Sequence, residues 1–132
     1  MLKNLQINTN SRTQLLDITS LVQKEVEKSK VQEGLCILHV PHTTAGITIN
    51  ENADPSVRKD IINELSRLIP LNSRFSHSEG NSDAHIKASM MGFSLTLLIE
   101  RGSLLLGTWQ GIYFCEFDGP RRRNLVAKIV NG

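Results

Sequence analysis

Hydrophobic and polar positions alternate along this chain and then change period, several times over. From Leu2 to Asn8, Lys3, Leu5 and Ile7 stand against Leu2, Asn4 and Gln6. That period of two predicts a strand with its apolar face on the odd positions. A second short strand is predicted around Thr13 to Leu16. From Asp17 the period lengthens. Ile18, Leu21, Val22 and Val26 recur at helical spacing, with Glu25, Glu27, Lys28 and Lys30 facing water. Asp17 or Thr19 can cap this helix, and Gly34 follows its end. Leu35 to Val40 is an apolar run broken only by His39, which predicts a buried strand closed by Pro41. Ile47-Thr48-Ile49 resumes a strand ending at Asn50 and Glu51, joined to the previous one as a hairpin or a crossover.

The next helix has the clearest signals. Asp54 suits the N-cap, Pro55 the first turn, and Val57, Ile61, Leu65, Leu68 and Ile69 share one face before Pro70 stops it. Leu71 to Ser82 has no periodicity and reads as a functional or mobile polar loop. A short helix follows from about Asp83, with Ile86 and Met90 inward and Gly92 as its stop. Leu95 to Glu100 predicts a strand, Arg101-Gly102 a turn, and Leu104 to Leu106 another apolar run. Thr108 to Phe117 is expected to be the longest strand, and Leu125 to Val130 closes the sheet. The sum is a single α+β domain over residues 1–132, with about three helices and a mostly antiparallel or mixed sheet of six to seven strands.

Composition narrows this picture. A chain of 132 residues, 39% of them apolar, can bury a core without disulfides. A formal net charge of +2 is too small to argue for nucleic-acid binding. Cys36 and Cys115 each sit inside an apolar run, as buried reduced thiols do in a reducing compartment. No stretch approaches the ~20 apolar residues of a membrane span, and no secretory signal opens the chain. A cytoplasmic protein without membrane or nucleic-acid partners is expected. No glycine-rich nucleotide motif is present.

Four histidines carry the candidate chemistry. His39 lies on the strand face shared by Leu35 and Ile37, and a satisfied core histidine is expected there. His42 follows Pro41 in a loop. His77 and His85 flank the polar segment, with His85 in the first turn of the short helix, where imidazole tends to stay neutral. Three such rings could hold a divalent metal and leave a fourth position open, or they could be surface-loop histidines. Among the carboxylates, Glu51 ends a strand. Glu116 shares a face with Gln110, Ile112 and Phe114, where it is either paired with an arginine such as Arg122 or Arg123 or is catalytic. Gly107-Thr108-Trp109-Gln110-Gly111 either approaches a ligand closely or packs Trp109 into the core at a bulge. Arg121-Arg122-Arg123 could grip a phosphate or form a solvated basic turn.

Three long segments then add up to a resemblance. His42-Thr43-Thr44-Ala45-Gly46-Ile47-Thr48-Ile49-Asn50-Glu51-Asn52-Ala53-Asp54-Pro55 is the first, and Gly80-Asn81-Ser82-Asp83-Ala84-His85-Ile86-Lys87-Ala88-Ser89 the second. Gly107-Thr108-Trp109-Gln110-Gly111-Ile112-Tyr113, running on to Glu116 and Arg121–Arg123, is the third. In this order they resemble the YjbQ-like family, called secondary thiamine-phosphate synthases. The resemblance implies an α+β homotrimer with a metal site between polar loops, its ligands His42, His77 and His85. It also implies a transferase that joins a pyrimidine diphosphate to a thiazole phosphate, or acts on a similar small phosphorylated substrate. On that reading Glu51 or Glu116 handles protons, while Thr43, Asn50, Gln110, Arg122 and Arg123 hold substrate. The metal is expected to be zinc, which imidazole suits. A metal-dependent hydrolase and a non-enzymatic binder of metal or anionic metabolites are the alternatives.

Overall fold

The computed structural model describes residues 2–71 and 75–132. In chain order the elements are β1 (Leu2–Asn8), β2 (Gln14–Asp17), α1 (Thr19–Ser29), β3 (Glu33–His39) and β4 (Ala45–Glu51). They continue with α2 (Pro55–Leu68), α3 (Ser82–Met91), β5 (Ser94–Glu100), β6 (Ser103–Leu104), β7 (Gln110–Glu116) and β8 (Arg122–Asn131). Every paired strand runs antiparallel to its neighbour. The strands divide into a five-stranded sheet, in the order β1-β8-β3-β5-β6, and a three-stranded sheet, β2-β7-β4. The α+β class is as expected, but the pairing makes two sheets rather than one.

The division explains the hydrophobic pattern. Cys36 and Leu38 of β3, Leu97 and Ile99 of β5, and Leu125, Ala127 and Ile129 of β8 point inward from the large sheet. Ile47 of β4 and Ile112 and Phe114 of β7 meet them from the small one, and Val22 and Val26 of α1 fill the rest of this core. The opposite side of β7 carries Tyr113 and Cys115, which pack with Leu15, Phe117, Leu65 of α2, and Ala84 and Ala88 of α3. Both faces of β7 are covered, so its sequence reads as an unbroken apolar run rather than an alternation. Each large apolar side chain buried this way contributes about 1.5–3 kcal/mol.

Helix α2 starts as its residues predict. Asp54 accepts from the Ser56 N–H at 2.9 Å, and Pro55 sits in the first turn. Helix α1 has no side-chain cap on Ile18, but Asp17 accepts from the Thr19 N–H at 3.0 Å. It ends at Lys30, which takes the left-handed conformation before Gly34 is reached.

Several expectations are corrected. Of the two expected links between β3 and β4, the crossover is found and the hairpin is not, since the strands lie in different sheets. The longest strand is β8, with 10 residues, not the run before Phe117. His39 is exposed, because the inward positions of β3 are Cys36 and Leu38 and His39 falls on the other pleat face. Glu25 is buried and pairs with Lys28 at 3.2 Å. The buried side of α3 carries Asp83, Ala84, Lys87 and Ala88, while Met90 faces water. Trp109 is exposed and packs into no core. Of the polar segment Leu71–Ser82, residues 72–74 lie outside the described residues.

Beyond the outward side of the five-stranded sheet no element packs among the described residues. Leu35, Ile37, Leu98, Val126 and Val130 stand on it, and Leu98 is among the exposed large apolar side chains. No described helix is long and apolar enough to cross a membrane.

Candidate functional site

The register of the small sheet separates the candidate residues into two groups. Ala45 pairs with Glu116 at one end of the β4–β7 ladder, and Glu51 pairs with Gln110 at the other. At ~3.3 Å per residue, that ladder puts about 20 Å between the ends. Glu51, Asn50 and Gln110 therefore share one end, and Glu116 and Arg123 the other. Within one chain, Glu51 and Glu116 cannot serve a single reacting centre as two proton carriers.

At the first of these ends the polar groups are bound locally. The Glu51 carbonyl accepts from Tyr113 Oη at 2.9 Å, Asn50 Oδ1 accepts from the Glu51 N–H at 2.8 Å, and Gln110 Oε1 accepts from the Gly107 N–H at 2.7 Å. Gly111 matters here, because a Cβ on it would lie 2.4 Å from Asn52 Nδ2. Gly111 thus permits close approach by Asn52 of the same chain.

The other end is built on a sealed ion pair. Arg123 donates through Nε to Glu116 Oε1 at 2.8 Å and through Nη2 to Glu116 Oε2. Its Nη2 also reaches Thr44 Oγ1 at 2.8 Å and the Thr44 carbonyl at 3.2 Å. Thr9 Oγ1 donates to Glu116 Oε1 at 2.8 Å, and the Asp118 N–H to Oε2 at 2.9 Å. Burial alone would push the Glu116 carboxyl up. The hydrogen bonds from Arg123, the Asp118 N–H and Thr9, with the Arg123 charge, outweigh it and hold the group below its ordinary value. Of the two readings of Glu116, the structure shows the arginine pair. A carboxylate so completely satisfied does not exchange protons at neutral pH, and Arg123 has no free face for a substrate.

A second buried network lies at the start of α3. Asp83 takes a two-pronged bond from Arg12, at 3.0 and 3.1 Å, and a third contact from Lys87 at 3.1 Å. Asn81, just before the helix, donates to Asp118 Oδ2 at 2.8 Å, while its own buried Oδ1 has no partner among the described residues. Asp118 also takes Arg121 at 3.1 Å. The loop after β1, the start of α3 and the β7–β8 turn are thereby tied together. Sequence reasoning passed over Thr9, Arg12, Thr44, Asp83, Lys87 and Asn124. The spacing Asp83–Lys87 between Ala84 and Ala88 was a usable signal, since a charged pair on a small-residue helix face predicts a buried bridge.

The three candidate metal histidines are not brought to one point. His77 and His85 come together, with ring centroids 5.5 Å apart and planes at 84°. Glu79 lies 3.7 Å from His77 Nε2. His42 sits beside β8 instead, where its Nε2 accepts from the Asn124 N–H at 2.8 Å. Burial, then the charge of Arg123, lowers its pKa from the usual 6.5, against the pull of Glu116. A metal needs a lone pair from each imidazole, and the one lone pair of neutral His42 is already occupied. Among the described residues, no three His, Cys, Asp or Glu side chains are grouped to hold a metal ion. The expected three-histidine centre is thus not assembled here, although His77 and His85 fit as two donors.

Thr43 is exposed in the loop beside His42, and Arg122 is exposed between Arg121 and Arg123. Both cysteines are unpaired and buried.

These features define an α+β protein of two antiparallel sheets with a basic, histidine-bearing end. The chain belongs to the family described as UPF0047 protein YjbQ-like, whose model matches residues 3–132. It is 61% identical over 130 residues to UPF0047 protein MJ1081 of Methanocaldococcus jannaschii, covering 98% of this chain and 94% of that one. It is 48% identical over 131 residues to UPF0047 protein YugU of Bacillus subtilis, covering 98% and 99%. Among solved structures, an uncharacterized YjbQ/UPF0047 family protein from Clostridium acetobutylicum superposes with a TM-score of 0.95 at 53% identity, covering 97% of this chain and 99% of that one. A YbjQ-like protein of unknown function from Sulfolobus solfataricus gives 0.94 at 30% identity, covering 100% and 97%.

Proposed function

We propose that this chain is a cytoplasmic enzyme acting on a small phosphorylated compound, and that its basic end around His42 receives the phosphate. The observation that carries this reading is a half-buried imidazole bonded to the Asn124 N–H of β8, an amide close in the chain to the exposed Arg121 and Arg122. Arg121 is tied to Asp118 on one side only, and Arg122 is exposed, so guanidinium charge is available to an anion. In the transferase that the three segments resemble, such charge would offset the negative charge gathering on a departing pyrophosphate. Thr43 lies close enough in sequence to lend a hydroxyl. Neither Glu51 nor Glu116 serves that end as a proton carrier in one chain.

A divalent ion, zinc by the preference of imidazole, belongs to this proposal through His77 and His85. Assembly belongs to it as well. The apolar outward side of the five-stranded sheet supports a closed oligomer, and three-fold is the symmetry proposed. Light scattering giving a mass near 14.7 kDa at micromolar concentration would remove that part.

The test of the activity is product analysis. The protein is incubated with a pyrimidine diphosphate, with and without a thiazole phosphate, in the presence of zinc. A coupled product formed only with both partners supports the transferase. Release of phosphate or pyrophosphate without the acceptor favours a hydrolase. No turnover of either kind, with the compounds retained unchanged, leaves a binding protein and overturns the enzyme.

A further inference from the structure

We infer that His42 is not a metal ligand but a neutral hydrogen-bond donor, whose Nδ1–H is fixed by the Asn124 backbone and presented to a substrate oxyanion.

The sheet itself creates this arrangement. Strand β8 begins at Arg122, but its rungs to β3 end at the pair His39↔Val126, because Pro41 closes the β3 side. Beyond that rung the Asn124 N–H would lack a ladder partner. The His42 ring takes the vacant position, and its Nε2 accepts that N–H at 2.8 Å. A backbone amide can only donate, so the nitrogen facing it carries no proton. In neutral imidazole the single proton must then be on Nδ1. Coordination through Nδ1 would require moving the proton to Nε2, where it would face the Asn124 N–H head on. Coordination through Nε2 would require breaking the bond to Asn124. Either path sets metal binding against a backbone hydrogen bond that holds the loop to β8.

What the ring can offer instead is one N–H on the side turned away from β8, with the Arg123–Glu116 pair and Arg121 acting on the ring. An N–H under the charge of the exposed Arg121 suits the oxygen of a phosphate or carboxylate, because a bond to an ionised acceptor is charge-assisted. The backbone bond also positions the ring in advance, so little side-chain freedom is lost when an anion arrives. The chemical class of the anion rests on the phosphorylated-substrate reading. The tautomer and the absence of metal at His42 do not.

The experiment uses full-length protein labelled with nitrogen-15 in histidine, and follows the ring nitrogens by long-range proton–nitrogen correlation. The expected spectrum has His42 protonated at Nδ1 and bare at Nε2. Zinc titration should shift His77 and His85 and leave His42 in place. Inorganic pyrophosphate should then move the His42 Nδ1–H resonance. A His42→Met variant separates the two roles, since its thioether sulfur can accept weakly from Asn124 and carries no donor. It should keep the wild-type melting temperature and zinc stoichiometry but bind pyrophosphate about tenfold more weakly, as loss of one charge-assisted hydrogen bond predicts. His42 protonated at Nε2, or shifted by zinc together with His77 and His85, overturns the inference whatever the substrate is. Unchanged pyrophosphate affinity in His42→Met overturns the donor role. If the tautomer is as expected and pyrophosphate shifts nothing in the wild type, the phosphorylated-substrate reading fails and the tautomer assignment stands.

Discussion

The Glu116 carboxylate and the Arg123 guanidinium grip each other from either side of the β7–β8 turn, and neither is open to water. Burying two charges is costly, and the pair is held only because Thr9, Thr44 and the Asp118 N–H complete its hydrogen bonds. Glu116→Gln keeps the shape and removes the charge, leaving Arg123 buried and unneutralised. The expected loss is about 3–5 kcal/mol of unfolding free energy, measured by denaturant titration. Glu116→Leu combined with Arg123→Met should cost clearly less than the two single changes added together. A Glu116→Gln protein as stable as the wild type would contradict a structural role for the pair.

Acid should expose the same dependence. Glu116 in the folded chain titrates below the usual Glu value of 4.5, and Asp83 below the usual Asp value of 3.8. For Asp83, burial pushes up but Arg12 and Lys87 prevail. A folded value below the unfolded one means that the unfolded chain binds protons first. The stabilisation is therefore complete well above pH 4.5 and is lost as pH falls through the folded values. Melting temperature measured across this range should drop in acid, and Asp83→Asn should flatten part of that drop. A profile unchanged in both Glu116→Gln and Asp83→Asn would refute the assignment.

How much of this was legible in the sequence depends on whether the relevant physics was local. Asp54, Pro55 and Leu65 announce α2, because capping and helical spacing act within a few residues. The segments containing His42, His85 and Gln110 announced the family. The sorting of strands into two sheets was not legible, since Leu38 and Ile47 look like neighbours in a hairpin until Pro41 carries the chain across. His39 was misplaced because a continuous apolar run hides which parity faces inward, and Leu35 and Ile37 are no less apolar than Cys36 and Leu38. The candidate site was half legible. Glu116 could be flagged as paired or catalytic from its apolar face, but its choice of Arg123 depends on a seven-residue register that only pairing decides.

His39→Ala should accordingly be a mild substitution. The side chain stands on the outward pleat face and buries little area, so the change in stability is expected within about 0.5 kcal/mol. Zinc stoichiometry should be unaffected. A fall in unfolding free energy of several times that size, seen in chemical denaturation, would place His39 inside the buried part of the proposed oligomer interface instead of at its margin.

Gly34→Ala should be severe for a reason invisible in the sequence. A Cβ at this position would stand 2.0 Å from the Val130 carbonyl oxygen, which belongs to the neighbouring strand and cannot swing aside. Strands β3 and β8 would have to part at the end of their ladder, at an expected cost of about 1–3 kcal/mol. Thermal denaturation gives the answer. No change in the midpoint would show that the two strands approach less closely than described.

Burial of both sulfurs has a practical corollary. The Cys36 and Cys115 thiols are pushed up to about 11 and about 12 by desolvation, so at neutral pH almost no thiolate forms at either. The native chain should therefore ignore maleimides and remain monomeric toward disulfide exchange on denaturing gels. A cysteine introduced at exposed Thr43 or Trp109 would be the sole reactive handle on the folded molecule. The protein is thus ready, without removal of its own sulfurs, to carry a spin label or a fluorophore at either end of the small sheet.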